Sequence, residues 1–397
     1  MAKISCPYCY HRIWAHRLWY QCTGRGVPGV AGCKAERDQA RQDQTGYAND
    51  SRPSFPPTRP GPSPRRAACP KCHGMSGIRV CPVCHTPLSA NFGDSASPLI
   101  AMVGAKGTGK TVYLTVLAHE LRSNLRKRFA ADVRLTGDQQ GDEDSPKQWL
   151  DQNVNEVFTK RQLFPMTAPA TNGRRKPLVF EWRQEYRRLR LSRLRTSYLS
   201  FYDTAGEDLG AQQTAHDLVY VGAADALILL LDPFMLPQAR NRLHLPKSAI
   251  TSEEATIDVL GRVTEMLRSS HGISGRRRIQ VPISVAFAKM DAFDAVLDDD
   301  HPLLRLPSAT DRYDEGAGQE THEHIRALLE DFGAGDVDAH LRLNYQTYRY
   351  FAVSALGSPP NYDTREVDRN GVHPFRVDEP LVWLLSRFGV VPTQGAR

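Results

Sequence analysis

Apolar residues in this chain come in short unbroken runs separated by long polar stretches, and the runs carry the fold information. Residues 99–103 (L-I-A-M-V), 226–231 (A-L-I-L-L-L), 281–287 (V-P-I-S-V-A-F) and 349–353 (R-Y-F-A-V) have the near-continuous hydrophobicity of strands covered on both faces of a parallel sheet. Residues 177–182 and 198–202 read as two further strands, and the arginine-rich stretch between them as a basic, solvent-facing β-hairpin or a source of an arginine finger from Arg187, Arg188, Arg190, Arg193 or Arg195. Residues 112–121 and 379–387 place apolar side chains at helical spacing. The alternation predicts an α/β fold: a doubly wound, mostly parallel sheet with helices on both faces.

All eight cysteines precede residue 85, so a separate small N-terminal module is expected at residues 1–93, ahead of an α/β domain at 97–395. Cys69-Pro-Lys-Cys72 and Cys81-Pro-Val-Cys84 are C-x-x-C knuckles separated by eight residues, as in a zinc ribbon with a short loop. Cys6-Pro-Tyr-Cys9 is a third knuckle, and Cys22 and Cys33 supply single thiols, so two zinc ions are predicted. The pairing stays open: the two later knuckles share one ion, or Cys6 and Cys9 join later knuckles in a cross-brace. His11, His73 and His85 are expected beside the ions, not on them. Tyr8, Tyr10, Trp14, Trp19 and Tyr20 either stack on bases or, the favoured reading, fill a small interior. A proline-rich run at 52–66 reads as an extended tether.

Charge refines this division. Residues 1–93 hold 13 Lys/Arg against 4 Asp/Glu and residues 174–195 hold 9 against 2, whereas the whole chain is only +7. Such patches suit phosphate-rich or acidic partners, so nucleic acid is a candidate partner, though no base-reading motif accompanies the charge. The longest apolar stretch, 218–231, contains Asp225 and is too short to span a bilayer. The chain reaches its first knuckle without an apolar leader, and a cytoplasmic address is expected.

The chemistry sits at strand ends. G-A-K-G-T-G-K-T at 104–111 fits the phosphate-binding pattern G-x-x-x-x-G-K-[ST] between a strand and a helix. There Gly104, Ala105, Lys106, Gly107, Thr108 and Gly109 offer backbone amides to phosphates, Lys110 reaches the β and γ phosphates, and Thr111 ligates Mg²⁺.

Beyond this loop, Asp203-Thr-Ala-Gly206, Ala288-Lys-Met-Asp291 and Ser354-Ala355-Leu356 follow strand-like runs in order. In that order the chain resembles the TRAFAC class of P-loop GTPases, the Ras-like and translation-factor kind. The resemblance implies GTP/GDP and Mg²⁺ as ligands: Asp203 holds the ion, the Gly206 amide meets the γ-phosphate, Lys289 packs on guanine, Asp291 reads its edge, and Ser354 and Ala355 contact the base. It also implies a switch threonine, Thr167 or its competitor Thr171. With its knuckles and insertions the chain is most similar to bacterial double-GTPase families of predicted conflict systems, which implies a protein partner, either another GTPase or an effector.

Two departures matter. Ala288 replaces the usual Asn or Thr and removes a tie between base loop and phosphate loop, at a cost of about 1–3 kcal/mol in guanine preference, which keeps an ATPase in contention. Glu207 stands where Ras-like enzymes place a glutamine, which predicts slow hydrolysis and keeps a nucleotide-binding scaffold in contention.

Overall fold

The computed structural model describes residues 3–47, 49–58, 61–89, 91–105, 107–136, 145–164, 177–188, 191–203, 220–243, 245–249, 255–294, 296–307 and 309–395, with backbone alone for 186–188, 191–193, 202–203 and 240. The chain is mixed α/β. Its main sheet has seven strands: β1 Leu99–Gly104, β2 Ala131–Thr136, β3 Leu178–Arg188, β4 Leu191–Asp203, β5 Ala226–Leu231, β6 Ile283–Phe287 and β7 Tyr348–Ala352. Their order is β2-β3-β4-β1-β5-β6-β7. β1, β5, β6 and β7 run parallel, while β3 and β4 form the expected hairpin, in register from Leu178 opposite Phe201 to Arg188 opposite Leu191. The longer helices are α1 Gln39–Thr45, α2 Lys110–Glu120, α3 Pro146–Val154, α4 Thr256–His271, α5 Glu315–Asp331, α6 Gly335–Asn344 and α7 Glu379–Arg387. Among the described residues no helix is long and apolar enough to cross a membrane.

Two compact units partition the chain: Met1–Leu99 with Asp132–Gln148 and Ala170–Phe201, and Ile100–Ala131 with Trp149–Pro169 and Tyr202–Arg397. In the second unit, every residue of β5 and β6 is buried, as their unbroken apolar runs require of interior parallel strands. α4 turns Val259, Leu260, Val263, Met266 and Leu267 inward at helical spacing and stops at Gly272, whose left-handed backbone (φ 60°) lets its amide cap the Arg268 and Ser269 carbonyls. α5 starts on the Asp314 carboxylate, which accepts the Ala317 amide.

The first unit is built otherwise. Around its cysteines the strands are two or three residues long: Lys3–Ser5 pairs with Arg12–Trp14, Ala67–Ala68 with Met75–Ser76, and Arg79–Val80 with Pro87–Leu88. Each hairpin turns through one C-x-x-C knuckle. In each, the residue four after the first cysteine is left-handed: Tyr10 (φ 64°), His73 (φ 58°) and His85 (φ 56°). The backbone bonding also repeats, with Tyr10, His73 and His85 amides donating to the Cys6, Cys69 and Cys81 carbonyls at 2.9, 2.9 and 3.0 Å.

Candidate functional site

The knuckles assemble two groups of four thiols, Cys6/Cys9/Cys81/Cys84 and Cys22/Cys33/Cys69/Cys72, with the sulfurs of each group within 4.8 Å of one another. Pairing across the tether therefore follows the cross-brace, and the two later knuckles do not share a site. The reason is the small sheet: Trp19–Gln21 hydrogen-bonds on one side to Arg79–Val80 and on the other to Ser54–Phe55, which brings distant knuckles together.

Sulfur separations of 3.8 Å for Cys6–Cys84 and Cys9–Cys81, 3.5 Å for Cys22–Cys72 and 3.9 Å for Cys33–Cys69 exclude disulfides. They match the edge, about 3.8 Å, of a tetrahedron of thiolates at about 2.3 Å from a zinc ion. Amides are aimed at the sulfurs as well, Gly24 at Cys22 (3.2 Å) and Val83 at Cys81 (3.4 Å). The Gly74 amide, ahead of the neighbouring thiols, holds Cys72 down at about 6. Burial, and then the neighbouring thiols, pushes Cys6 well up. Both four-thiol groups can hold zinc, which as a cation keeps all four sulfurs ionised.

The histidines stay off the sulfurs as expected. His11 bonds the Cys9 carbonyl, and His85 Nδ1 meets both Asp38 oxygens at 3.0 and 2.8 Å while Trp19 stacks on its ring. Tyr8, Tyr10 and Tyr20 are buried and fill the interior, whereas Trp14 is exposed. The first group lies in a core with Ile13, Leu18, Tyr47, Val179 and Tyr198; the second has a smaller one with Tyr20, Phe55 and Ala67.

The second candidate site lies in the other unit, where the parallel strands end together. The register sets Gly104 beside Leu230, Leu231 beside Phe287, and Phe287 beside Ala352. Ladder bonds continue past the ends: Ala288 donates to Leu231 O (3.0 Å), Val353 to Phe287 O (2.9 Å) and Met290 to Val353 O (3.1 Å). Loops after β1, β5, β6 and β7 thus share one edge, where ligands bind in open α/β sheets.

After β1, Gly107 (φ 76°) and Gly109 (φ 86°) take left-handed backbone, and Gly109 leads into α2. A Cβ on Gly104 would stand 2.9 Å from Leu230 O, so only glycine fits. Lys110 is buried, its Nζ donating to Gly104 O at 2.8 Å and Ala105 O at 2.9 Å; Thr108 Oγ1 also donates to Ala105 O (3.0 Å). Thr111 follows in the first turn of α2.

After β6, Lys289 is left-handed (φ 54°), and its Nζ donates to Asp232 Oδ2 at 2.6 Å and Gly107 O at 3.4 Å while lying 4.5 Å from the Phe234 ring centroid. Asp232 closes β5 and also accepts the Phe234 amide at 3.0 Å. Lys289 therefore ties the loop after β6 to the loop after β1, the role that Ala288 cannot fill. Buried Asp291 accepts the Ser354 hydroxyl at 2.5 Å. Burial, opposed by that bond, pushes its carboxyl up from the ordinary range. Ser354 is held by paired backbone bonds with Phe375 (3.0 and 2.8 Å) and accepts the Gly357 amide (2.8 Å); Ala355 follows it.

Lys106, Thr167, Thr171, Gly206 and Glu207 lie outside the described residues, and Asp203 is described in backbone only, at the end of β4. Of the candidate finger arginines only the Arg195 side chain is described, and its Nε donates to Ser95 Oγ (3.3 Å) within the first unit. His119 stacks on Phe158 (4.4 Å), a packing role. Three residues of this edge lie outside the nucleotide-binding motifs read from the sequence: Asp232, Phe234 and Tyr362, whose ring meets Phe234 edge-on at 6.0 Å. An Asp-Pro pair directly after an apolar run is a capping signal that flags Asp232; nothing local flags Tyr362.

No protein-family model matches the chain. Its sequence is similar to that of SaeC from Mycolicibacterium smegmatis, a candidate ESX-1 scaffolding and assembly protein, with 26% identity across 98% of this chain and 100% of that protein. Among solved structures, it is similar to the GTPase-like domain of Saccharomyces cerevisiae Ski7 bound to GTP, at 14% identity and a TM-score of 0.30. That match takes in 74% of this chain and only 51% of the other.

Proposed function

We propose that the second unit binds a guanine nucleoside triphosphate at the shared strand edge and hydrolyses it slowly, as a switch whose state a protein partner reads. One observation carries the reading: four parallel strands end in register, presenting a glycine-bent loop with Lys110, the Asp232–Lys289 pair and the Asp291–Ser354 pair on one edge. In this arrangement the loop amides and Lys110 take the phosphates, and Lys289 and Asp291 take the base. Thr111 and Asp203 would hold Mg²⁺, which when bound offsets phosphate charge. The zinc ions, one per four-thiol group, are structural in this proposal.

Equilibrium binding of GTP and ATP with Mg²⁺ to the wild type and to Lys110→Ala tests it. GTP is expected to bind at least tenfold tighter than ATP, and Lys110→Ala to bind about 100-fold more weakly than wild type, about 2.7 kcal/mol. Equal affinity for both nucleotides would overturn the guanine reading, and no Lys110-dependent binding would overturn the site.

A second reading, a nucleotide-binding scaffold without turnover, is favoured by the end-to-end likeness to SaeC, whose name speaks of assembly. Phosphate release no faster than that of Lys110→Ala would select it.

A further inference from the structure

The strap after β7 holds a buried group that no described residue satisfies. The Tyr362 hydroxyl is shut off from solvent and has no hydrogen-bond partner among the described residues. Leaving such a group bare costs about 1–3 kcal/mol, and each case calls for an explanation.

Its placement is over-determined. Asn361 Oδ1 accepts the Asp363 and Thr364 amides at 3.0 and 3.1 Å, and Asn361 bridges Glu366 across the turn. Leu163 N donates to Arg365 O (2.8 Å) and Val367 N to Arg161 O (2.9 Å), clamping the turn to residues 161–163. Leu356 and Val367 close a buried cluster with Val157, against which Val112 of α2 packs. The turn thus holds Tyr362 to Phe234, the ring over which Lys289 lies.

The nearby carboxylates do not take the hydroxyl. Asp232 spends one oxygen on the Phe234 amide and the other on Lys289, and Asp291 accepts Ser354. Burial, with their negative charge added, instead pushes the phenol up, so it stays protonated and able to donate at neutral pH.

We infer that Tyr362 closes the nucleoside half of the bound nucleotide's site, its hydroxyl donating to the purine or its ribose beside Asp291. The inference rests on the nucleotide reading above and deepens it by naming a contact from a segment outside the strand-end motifs.

Tyr362→Phe removes the hydroxyl alone. Displacement of a fluorescent GTP analogue from the full chain, by GTP and by inorganic tripolyphosphate, reads the nucleoside and phosphate halves separately. GTP affinity is expected to fall 5- to 20-fold while tripolyphosphate displaces within twofold of wild type, and the nucleotide-free variant melts at the wild-type temperature or above. GTP affinity within twofold of wild type, an equal fall for tripolyphosphate, or a lower melting temperature would each overturn the inference. If the wild type binds no GTP, the nucleotide reading itself fails; a wild type that binds and a variant that binds equally sink Tyr362 alone.

Discussion

The thiol region and the parallel-strand region reach a defined geometry by opposite means. Around the cysteines, strands of two or three residues bury little, and the local fold is three repeated turns whose sulfurs converge. Such a region would stand on metal held by those sulfurs, because its short strands cannot offset the entropy of ordering the chain. At the parallel edge, strands of five or six fully or largely buried residues define the loops without a metal. Metal-dependent order and packing-dependent order should therefore fail separately.

Cys84→Ser tests that separation hardest. Cys84 lies in the core with Tyr8, Val179 and Tyr198, and structural zinc is worth on the order of 10 kcal/mol in small domains. Metal analysis should show at least one equivalent lost, and near-ultraviolet circular dichroism should show loss of fixed aromatic signals, with GTP affinity within about threefold of wild type. Loss of nucleotide binding as well would break the comparison. Lys110→Ala is the converse: a fall of about 100-fold in GTP affinity with two zinc equivalents retained.

Cys33→Ser sharpens the contrast inside the thiol region. Cys33 is half-buried and its group has the smaller core, so one equivalent of zinc should leave with a smaller loss of stability than Cys84→Ser causes, measured by denaturant titration. The smallest effect is a pH dependence in the strand region. Burial holds His322 below the ordinary histidine value of 6.5, and its Nδ1 accepts the Tyr350 amide at 3.2 Å. A base with a lowered folded pKa adds stability above its unfolded value, and that stability is lost as pH falls through the folded one. Relative to His322→Asn, wild-type stability should hold from pH 8 to about 6.5 and decline below, with a limiting slope of about 1.4 kcal/mol per pH unit. A difference flat with pH would show that His322 takes up no proton at folding's expense.

What was legible in the sequence follows from range. β1, β5, β6 and β7 announce themselves because buried parallel strands are written as unbroken apolar runs. The phosphate-loop pattern is equally local: its glycines answer to backbone angles within eight residues. Cysteine identity is plain, but the partner of Cys9 is 72 positions away, and only the strand pairing of the small sheet selects it. The motif around Lys289 points to the base alone; its bonds to Asp232 and Gly107 depend on which strands are neighbours. Tyr362 sits in a Pro-, Asp- and Gly-rich strap without periodicity, so no pattern could bring it to Phe234.

The first unit is assembled from three separate stretches, which sets an order of events during synthesis. The knuckles leave the ribosome early, yet Tyr198, whose hydroxyl accepts the Ser89 amide, comes 109 positions later, and Ser200, which donates to Pro7 O, 193 positions after its acceptor. At about 5–20 residues per second, the nascent thiol region waits about 5 to 40 seconds for those contacts. During that interval the eight sulfurs are without these late contacts, and the native packing around the first thiol group is still incomplete.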